Sequence, residues 1–332
     1  MAAGSSTSAS ISRREPGVIE KGAADASWLP VWKAKVAVLW ATARRNGRNI
    51  AAILRTRRQR IRSVKTAARA GQRPQDLLAI LLLTVGIAVI ALDIPTYPWI
   101  HSMPAQYRDA FASFTHLGRA DWILWSSGLF CLGMLLVDWQ KLANRIRIAV
   151  IAAWTYAAFI FASVAVSGII AVTIKWSLGR ARPKLFPEFG PMEFRPFYFD
   201  SHFTSFPSGH STTIAALATA LVLLFPTWRW LTIVAAFWIA FSRIMIGAHY
   251  PSDVIAGTLL GITITLATAR WMARRHIGFV LGPDNRLRPT IGRLSAKACA
   301  VALWQAVQGY RSAYRGSPSH SSSKTIENGD QE

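Results

Sequence analysis

Six stretches of the chain are almost entirely apolar and are separated by polar or charged clusters: about Leu77 to Ile94, Trp122 to Val137, Ile148 to Ile174, Ser208 to Phe225, Trp230 to Ile246 and Pro251 to Trp271. A bilayer core of about 30 Å is crossed by roughly 20 mostly apolar residues in a helix. The pattern therefore predicts an all-α fold: a polytopic membrane helical bundle with six transmembrane helices. The second and fourth runs are short, and they reach the interfaces only if flanking residues snorkel. Ahead of the first run, Trp28, Trp32, Val36 and Trp40 recur at helical spacing among many arginines, as in a basic amphipathic helix lying on a membrane. A solvated helical extension reads the same way.

Composition supports the membrane reading. Hydrophobic residues make up 52% of the 332 and charged residues only 16%, a balance unusual for a soluble protein of this size. The net charge of +22 is unevenly spread. Residues 1–76 hold 16 Lys and Arg against 4 Asp and Glu, and residues 270–332 hold 10 against 4. Basic tails around a nearly neutral apolar middle point to membrane topology and anionic lipid, and no nucleic-acid partner is expected. Three regions follow: a basic N-terminal extension (1–76), a six-span domain (77–271) and a basic C-terminal tail (272–332) whose Ser-rich end, 316–332, reads as disordered. Met1 to Pro16 lacks the apolar core of a cleavable signal, so insertion through the chain's own spans is expected. Cys131 and Cys299 imply no disulfide framework.

Orientation follows from the short connections. With both termini cytoplasmic, Lys141, Arg145, Arg147 and Arg229 fall on the inner side, as the positive-inside tendency requires. Lys175, Arg180, Arg182, Lys184, Arg195 and Arg243 then fall outside, against the tendency. An anionic substrate on that face would explain them.

Three clusters share that face. Lys175 is followed after six residues by Arg182 and Pro183; seven positions are about two helical turns, which puts both cations on one helix face, with Pro183 ending the helix. Pro207, Ser208, Gly209 and His210 directly precede an apolar helix, where Ser208 can cap and Gly209 lets a ligand approach the backbone. A helix N-terminus there would favour an anion. Ser242 and Arg243 are followed by His249 and Asp253, with Pro251 near the first helical position, so Asp253 lies one turn from His249 and can accept a proton from its ring.

These clusters resemble the three signature motifs of the type 2 phosphatidic acid phosphatase (PAP2) superfamily, K-x6-R-P, P-S-G-H and S-R-x5-H-x3-D, with all eleven specified positions filled. The resemblance covers roughly residues 85–270. It implies a bacterial inner-membrane enzyme with its site on the outer face. His249 would attack phosphorus to form a phosphohistidine and Asp253 would hold its tautomer. His210 would protonate the leaving oxygen and then activate water. Lys175, Arg182, Arg243, Ser208 and Gly209 would bind the phosphoryl oxygens, doing by fixed charge what a metal does elsewhere. The remaining outer acidic residues, Asp93, Asp109, Asp121, Glu188, Glu193 and Asp200, show no metal-site spacing, so no metal and no cofactor are expected.

Each residue alone has an ordinary role: interfacial anchor for the cations, helix cap for His210, first-turn acid for Asp253. Their convergence favours a phosphate site. His101, His116 and His202 belong to no motif and read as structural or surface residues. The aromatic run Phe186, Phe189, Phe194, Phe197, Tyr198, Phe199, Phe203 and Phe206 reads as an interfacial belt, with a lipid entrance as the alternative. The expected partners are a phosphorylated lipid substrate (phosphatidate, phosphatidylglycerol phosphate, undecaprenyl pyrophosphate or lipid A) and the membrane lipids. A lipid phosphotransferase with the same site, and a non-catalytic basic membrane anchor, are the competing functions.

Overall fold

The computed structural model describes residues 31–60, 74–282, 284–290 and residue 304. Trp28 and the Ser-rich end lie outside the described residues. Every apolar run forms a helix. The first is α2 (Pro74–Ala88), a π-helical turn (Val89–Asp93) and α3 (Ile94–Ser102). It is preceded by α1 (Val31–Arg60) and followed by α4 (Ala105–Thr115), α5 (Ala120–Leu136), α6 (Asn144–Leu178), α7 (Phe186–Phe189), α8 (Gly209–Leu224), α9 (Arg229–Met245) and α10 (Pro251–Arg274). Among the described residues, three stretches are long and apolar enough to cross a membrane: Gln75–Ser102, Ile146–Leu178 and Pro251–Arg274. The other apolar helices, α5, α8 and α9, have 17, 16 and 17 residues.

The bundle is apolar outside and fine-grained inside. Trp125, Leu129, Ile169, Trp230 and Leu231 are exposed on its surface, whereas Ser163, Ser167, Thr212, Ala216, Ala220, Thr265 and Ala269 are buried between helices. Lipid supplies no hydrophobic drive between helices, so small residues that let backbones approach do the packing. The central helix α8 touches α6, α9 and α10. Against α10 the fit depends on Gly257 and Gly261: a Cβ at either would collide with the carbonyl oxygen of Ser208 or Thr212. This contact fixes the N-terminal ends of α8 and α10 side by side, where two of the three motifs sit.

The far end of the bundle is tied by α1. Asn46 donates from Nδ2 to the carbonyls of Leu135 and Val137 at 2.9 and 2.8 Å, satisfying acceptors at the end of α5. Arg45 pairs with Asp138 at 2.7 Å, and Arg57 donates to the carbonyls of Arg275 and His276 just past α10. Val36 and Trp40 remain exposed. Beyond α10 the chain makes a hairpin that the sequence pattern does not signal, β1 (Phe279–Leu281) antiparallel to β2 (Leu287–Pro289). Fully buried Phe279 anchors it against Phe159 and Met272.

Candidate active site

The sequence predicts one helix carrying both Lys175 and Arg182 and ended by Pro183. The structure differs: α6 stops at Leu178 and Gly179 takes a left-handed conformation at φ 62°. Only glycine fits there, because a Cβ would run into the Arg195 carbonyl oxygen. The returning chain then pairs with Arg195, whose amide donates to the Gly179 carbonyl at 2.8 Å. The two cations meet all the same, through Thr204: Lys175 Nζ donates to its carbonyl at 2.8 Å and Arg182 Nη2 to its hydroxyl at 3.2 Å.

Ser208 caps α8 as expected, its hydroxyl accepting from the Ser211 amide at 3.4 Å and the Ser211 hydroxyl at 2.9 Å. Its own amide donates to the Asp253 carbonyl at 3.0 Å. Of the two residues expected to bind phosphoryl oxygens here, Ser208 has its amide committed to α10, while Gly209 has open space where a side chain would be. His210, half-buried on the first turn of α8, packs beside Gly118 in the connection between α4 and α5. Arg243, in the last turn of α9, donates from Nη1 to the Thr115 hydroxyl at 3.0 Å, and Ser242 donates to the same oxygen at 2.9 Å. The end of α4 therefore braces the third cation.

His249 and Asp253 are both buried. Pro251 opens α10 and the Asp253 carboxylate caps it, Oδ2 accepting from the Tyr250 amide at 3.0 Å. His249 Nδ1 lies 3.6 Å from that same oxygen, longer than a hydrogen bond, and has no other partner among the described residues. Burial pushes the imidazole down to about 4; Asp253 pulls it upward, and Lys175 and Arg182 push it down further. The ring is therefore neutral at pH 7, as a nitrogen nucleophile requires.

Arg180 and Asp93 belong to this site, although no motif contains them. Arg180 is 1% exposed. Its Nη1 donates to Asp253 Oδ1 at 2.6 Å and to the Ser252 hydroxyl at 2.7 Å, and its Nη2 donates to Asp93 Oδ2 at 2.6 Å. Nε and Nη2 also donate to the Pro191 carbonyl at 3.0 and 2.8 Å, and the guanidinium lies 4.5 Å from the Tyr250 ring centre. Burial opposes its charge, but Asp253 and Asp93 outweigh burial and hold it firmly protonated. Ser205 completes the Asp253 shell with a hydroxyl bond of 2.5 Å to Oδ2. The sequence signal for Arg180 was its expected place on the outer face, against the positive-inside tendency.

The remaining histidines behave differently from one another. His202 is exposed and pairs with Asp200 at 3.0 Å. His101 bonds the Tyr97 carbonyl at 2.8 Å and borders a small cavity that reaches His249. In the aromatic run, Phe197, Tyr198 and Phe199 are exposed and Phe203 is buried. Arg195 lies within 4.6 Å of the Phe203 ring centre and 4.9 Å of that of Phe189.

Residues 152–277 match the family described as the PAP2 superfamily. Lipid A 1-phosphatase of Rhizobium johnstonii is 38% identical over 214 residues, which is 64% of this chain and 86% of that protein. The protein of the same name from Rhizobium etli is 37% identical over 230 residues, or 68% and 98%. Among solved structures, the transmembrane PAP2 type phosphatidylglycerolphosphate phosphatase from Bacillus subtilis is similar with a TM-score of 0.43 and 21% identity, covering 60% of this chain and 94% of that one.

Proposed function

The chain belongs to the PAP2 superfamily, and from that premise we propose that it hydrolyses a phosphate ester or anhydride of a lipid by way of a phosphohistidine at His249. Membership makes it a multi-pass membrane protein of a lipid phosphatase family. The observation that carries the chemistry is the unbalanced cationic group: Lys175, Arg182 and Arg243 form no ion pair with a carboxylate among the described residues, and the Nε atoms of Arg182 and Arg243 are buried without a hydrogen-bond partner. Buried guanidinium donors without acceptors are costly. A phosphoryl group supplies the acceptors and about 1.5 to 2 negative charges.

The steps follow. The phosphoryl oxygens take the free donors of Arg182 and Arg243, with Lys175 adding a compact charge. Nε2 of neutral His249 attacks phosphorus, forming a P–N bond while the P–O bond to the lipid breaks. His210, which takes up a proton as the phosphate dianion binds, gives that proton to the departing oxygen. Positive charge growing on His249 is met by Asp253 across 3.6 Å, a gap that a small ring rotation closes when the substrate engages. Neutral-again His210 then takes a proton from water, whose oxygen attacks the phosphohistidine; the P–N bond breaks and inorganic phosphate leaves. Both carboxylates near the site among the described residues, Asp93 and Asp253, are held by Arg180, and the reaction is proposed to run on fixed cations without a metal.

Among substrates, lipid A 1-phosphate comes first, because the two relatives matched over most of their length are named for it. Six spans, cytoplasmic termini and an outward-facing site complete the reading, supported by the charge pattern. The test is phosphate release by the detergent-solubilised protein from lipid A, phosphatidylglycerol phosphate, undecaprenyl pyrophosphate and phosphatidate, with chelator present. Release from at least one of them, reduced by about 10⁴-fold or more in His249→Ala, is expected. Full activity in His249→Ala would sink the mechanism. Transfer of phosphate to an added lipid acceptor instead of water would make the protein a phosphotransferase.

A further inference from the structure

The first helical stretch sends one side chain into the catalytic end of α10. The π-helical turn Val89–Asp93 interrupts the regular geometry between α2 and α3 and carries Asp93, which is 0% exposed. Such turns admit an extra residue and are frequent at functional sites. Asp93 Oδ1 accepts the Ser252 amide at 3.0 Å, one of the N–H groups that the start of α10 leaves unsatisfied. Its Oδ2 accepts the Ser252 hydroxyl and Arg180 Nη2, both at 2.6 Å.

A guanidinium facing a single carboxylate favours the two-pronged fork that occupies both oxygens. Here Asp93 holds Nη2, so Arg180 reaches Asp253 through Nη1 alone and uses only Oδ1. Oδ2 stays with Ser205, the Tyr250 amide and the side facing His249. We infer that Asp93 is a positioning residue for phosphoryl transfer: by dividing Arg180 between two carboxylates and tethering Ser252, it keeps Asp253 Oδ2 turned toward His249 Nδ1. The inference rests on His249 as nucleophile. Asp93 also lies outside the residues that match the family, so it links the first helical stretch to a site otherwise built from α6 to α10 and braced by the end of α4.

The experiment uses full-length protein in detergent, with kcat, KM and melting temperature measured on the preferred lipid phosphate for Asp93→Asn, Asp93→Glu, Ser252→Ala and His249→Ala. Asp93→Asn is expected to lose about tenfold or more in kcat with KM within about threefold, because the loss falls on the oriented pair and not on phosphate binding. Asp93→Glu restores part of it. Ser252→Ala keeps every charge and loses about threefold or more in kcat. A merely structural Asp93 would lower the melting temperature without changing kcat per folded molecule, and wild-type kcat in folded Asp93→Asn overturns the inference. If Asp93→Asn does not fold, wild-type kcat in Ser252→Ala overturns it instead. Activity in His249→Ala removes the nucleophile reading itself, whereas inactive His249→Ala beside a fully active Asp93→Asn removes only the role given to Asp93.

Discussion

Two groups of charge lie side by side at one end of the bundle and are built on opposite principles. In one, the buried guanidinium of Arg180 meets two buried carboxylates at 2.6 Å each, and its donors are all taken. In the other, Lys175, Arg182 and Arg243 are half-buried, lean on neutral oxygens of Thr204 and Thr115, and leave two Nε donors unused. Balanced charge in a dry interior holds helices in register. Unbalanced charge is strained against its neighbours, and an anion would relieve it. Under the proposed mechanism the contrast separates residues that hold the site from residues that would meet the substrate, which residue type alone does not do: four of these side chains are cations within an interval of 69 positions.

The sharpest way to break the comparison is a matched pair of substitutions. Arg180→Met strands Asp93 and Asp253 as buried anions and is expected to cost about 3 to 5 kcal/mol of stability, read as a lowered unfolding midpoint. Arg182→Met removes one of three like charges and leaves no carboxylate stranded. Its stability should match or exceed wild type, while kcat/KM falls about 10²- to 10³-fold, or roughly 2.7 to 4 kcal/mol of transition-state stabilisation. Equal destabilisation by both variants would mean that the two groups are one.

A second test sharpens the unbalanced side. An anion that binds only the folded state stabilises it by about 2.7 kcal/mol at a hundred times its dissociation constant. Inorganic phosphate or vanadate should therefore raise the melting temperature of the wild-type protein and of His249→Ala, and should do so much less for Arg182→Met. Stabilisation that survives in Arg182→Met would place the anion elsewhere.

The division between the groups was only half legible in the sequence. Apolar runs marked the apolar helices of the bundle, because a helix in lipid satisfies its backbone internally and shows its length as composition, whereas α4 and α7 lie outside those runs. The spacing from Lys175 to Asp253 marked side chains that the structure brings to one end of the bundle, because caps and first-turn positions have fixed offsets. The Arg180–Asp93 pair was not legible. Its members stand 87 positions apart, and Asp93 reads as an ordinary acid at the end of a span until the π-helical turn carries it inward. The path from Lys175 to Arg182 was misread for a related reason: Gly179 turns left-handed to meet Arg195, a contact made by a later segment. The hairpin after α10 was missed because its anchor, Phe279, is a lone aromatic whose partners lie in α6 and α10.

The smallest effect is expected at Ser208, which stands between the two groups. Its amide serves the balanced side by donating to the Asp253 carbonyl at 3.0 Å, a bond that an alanine keeps. Its hydroxyl caps α8 and receives the Ser211 hydroxyl at 2.9 Å, so Ser208→Ala leaves those donors without an acceptor at a buried position. Loss of such a cap costs typically about 1 kcal/mol, within a range of about 0.5 to 2. The α8 N-terminus and Gly209 are unchanged, so kcat/KM should fall by about tenfold or less, well short of the Arg182→Met loss. The ratio of the two losses is the informative quantity. A fall as deep as that of Arg182→Met, with stability intact, would move the Ser208 hydroxyl from helix cap to phosphoryl ligand and shift the border between the two groups onto α8.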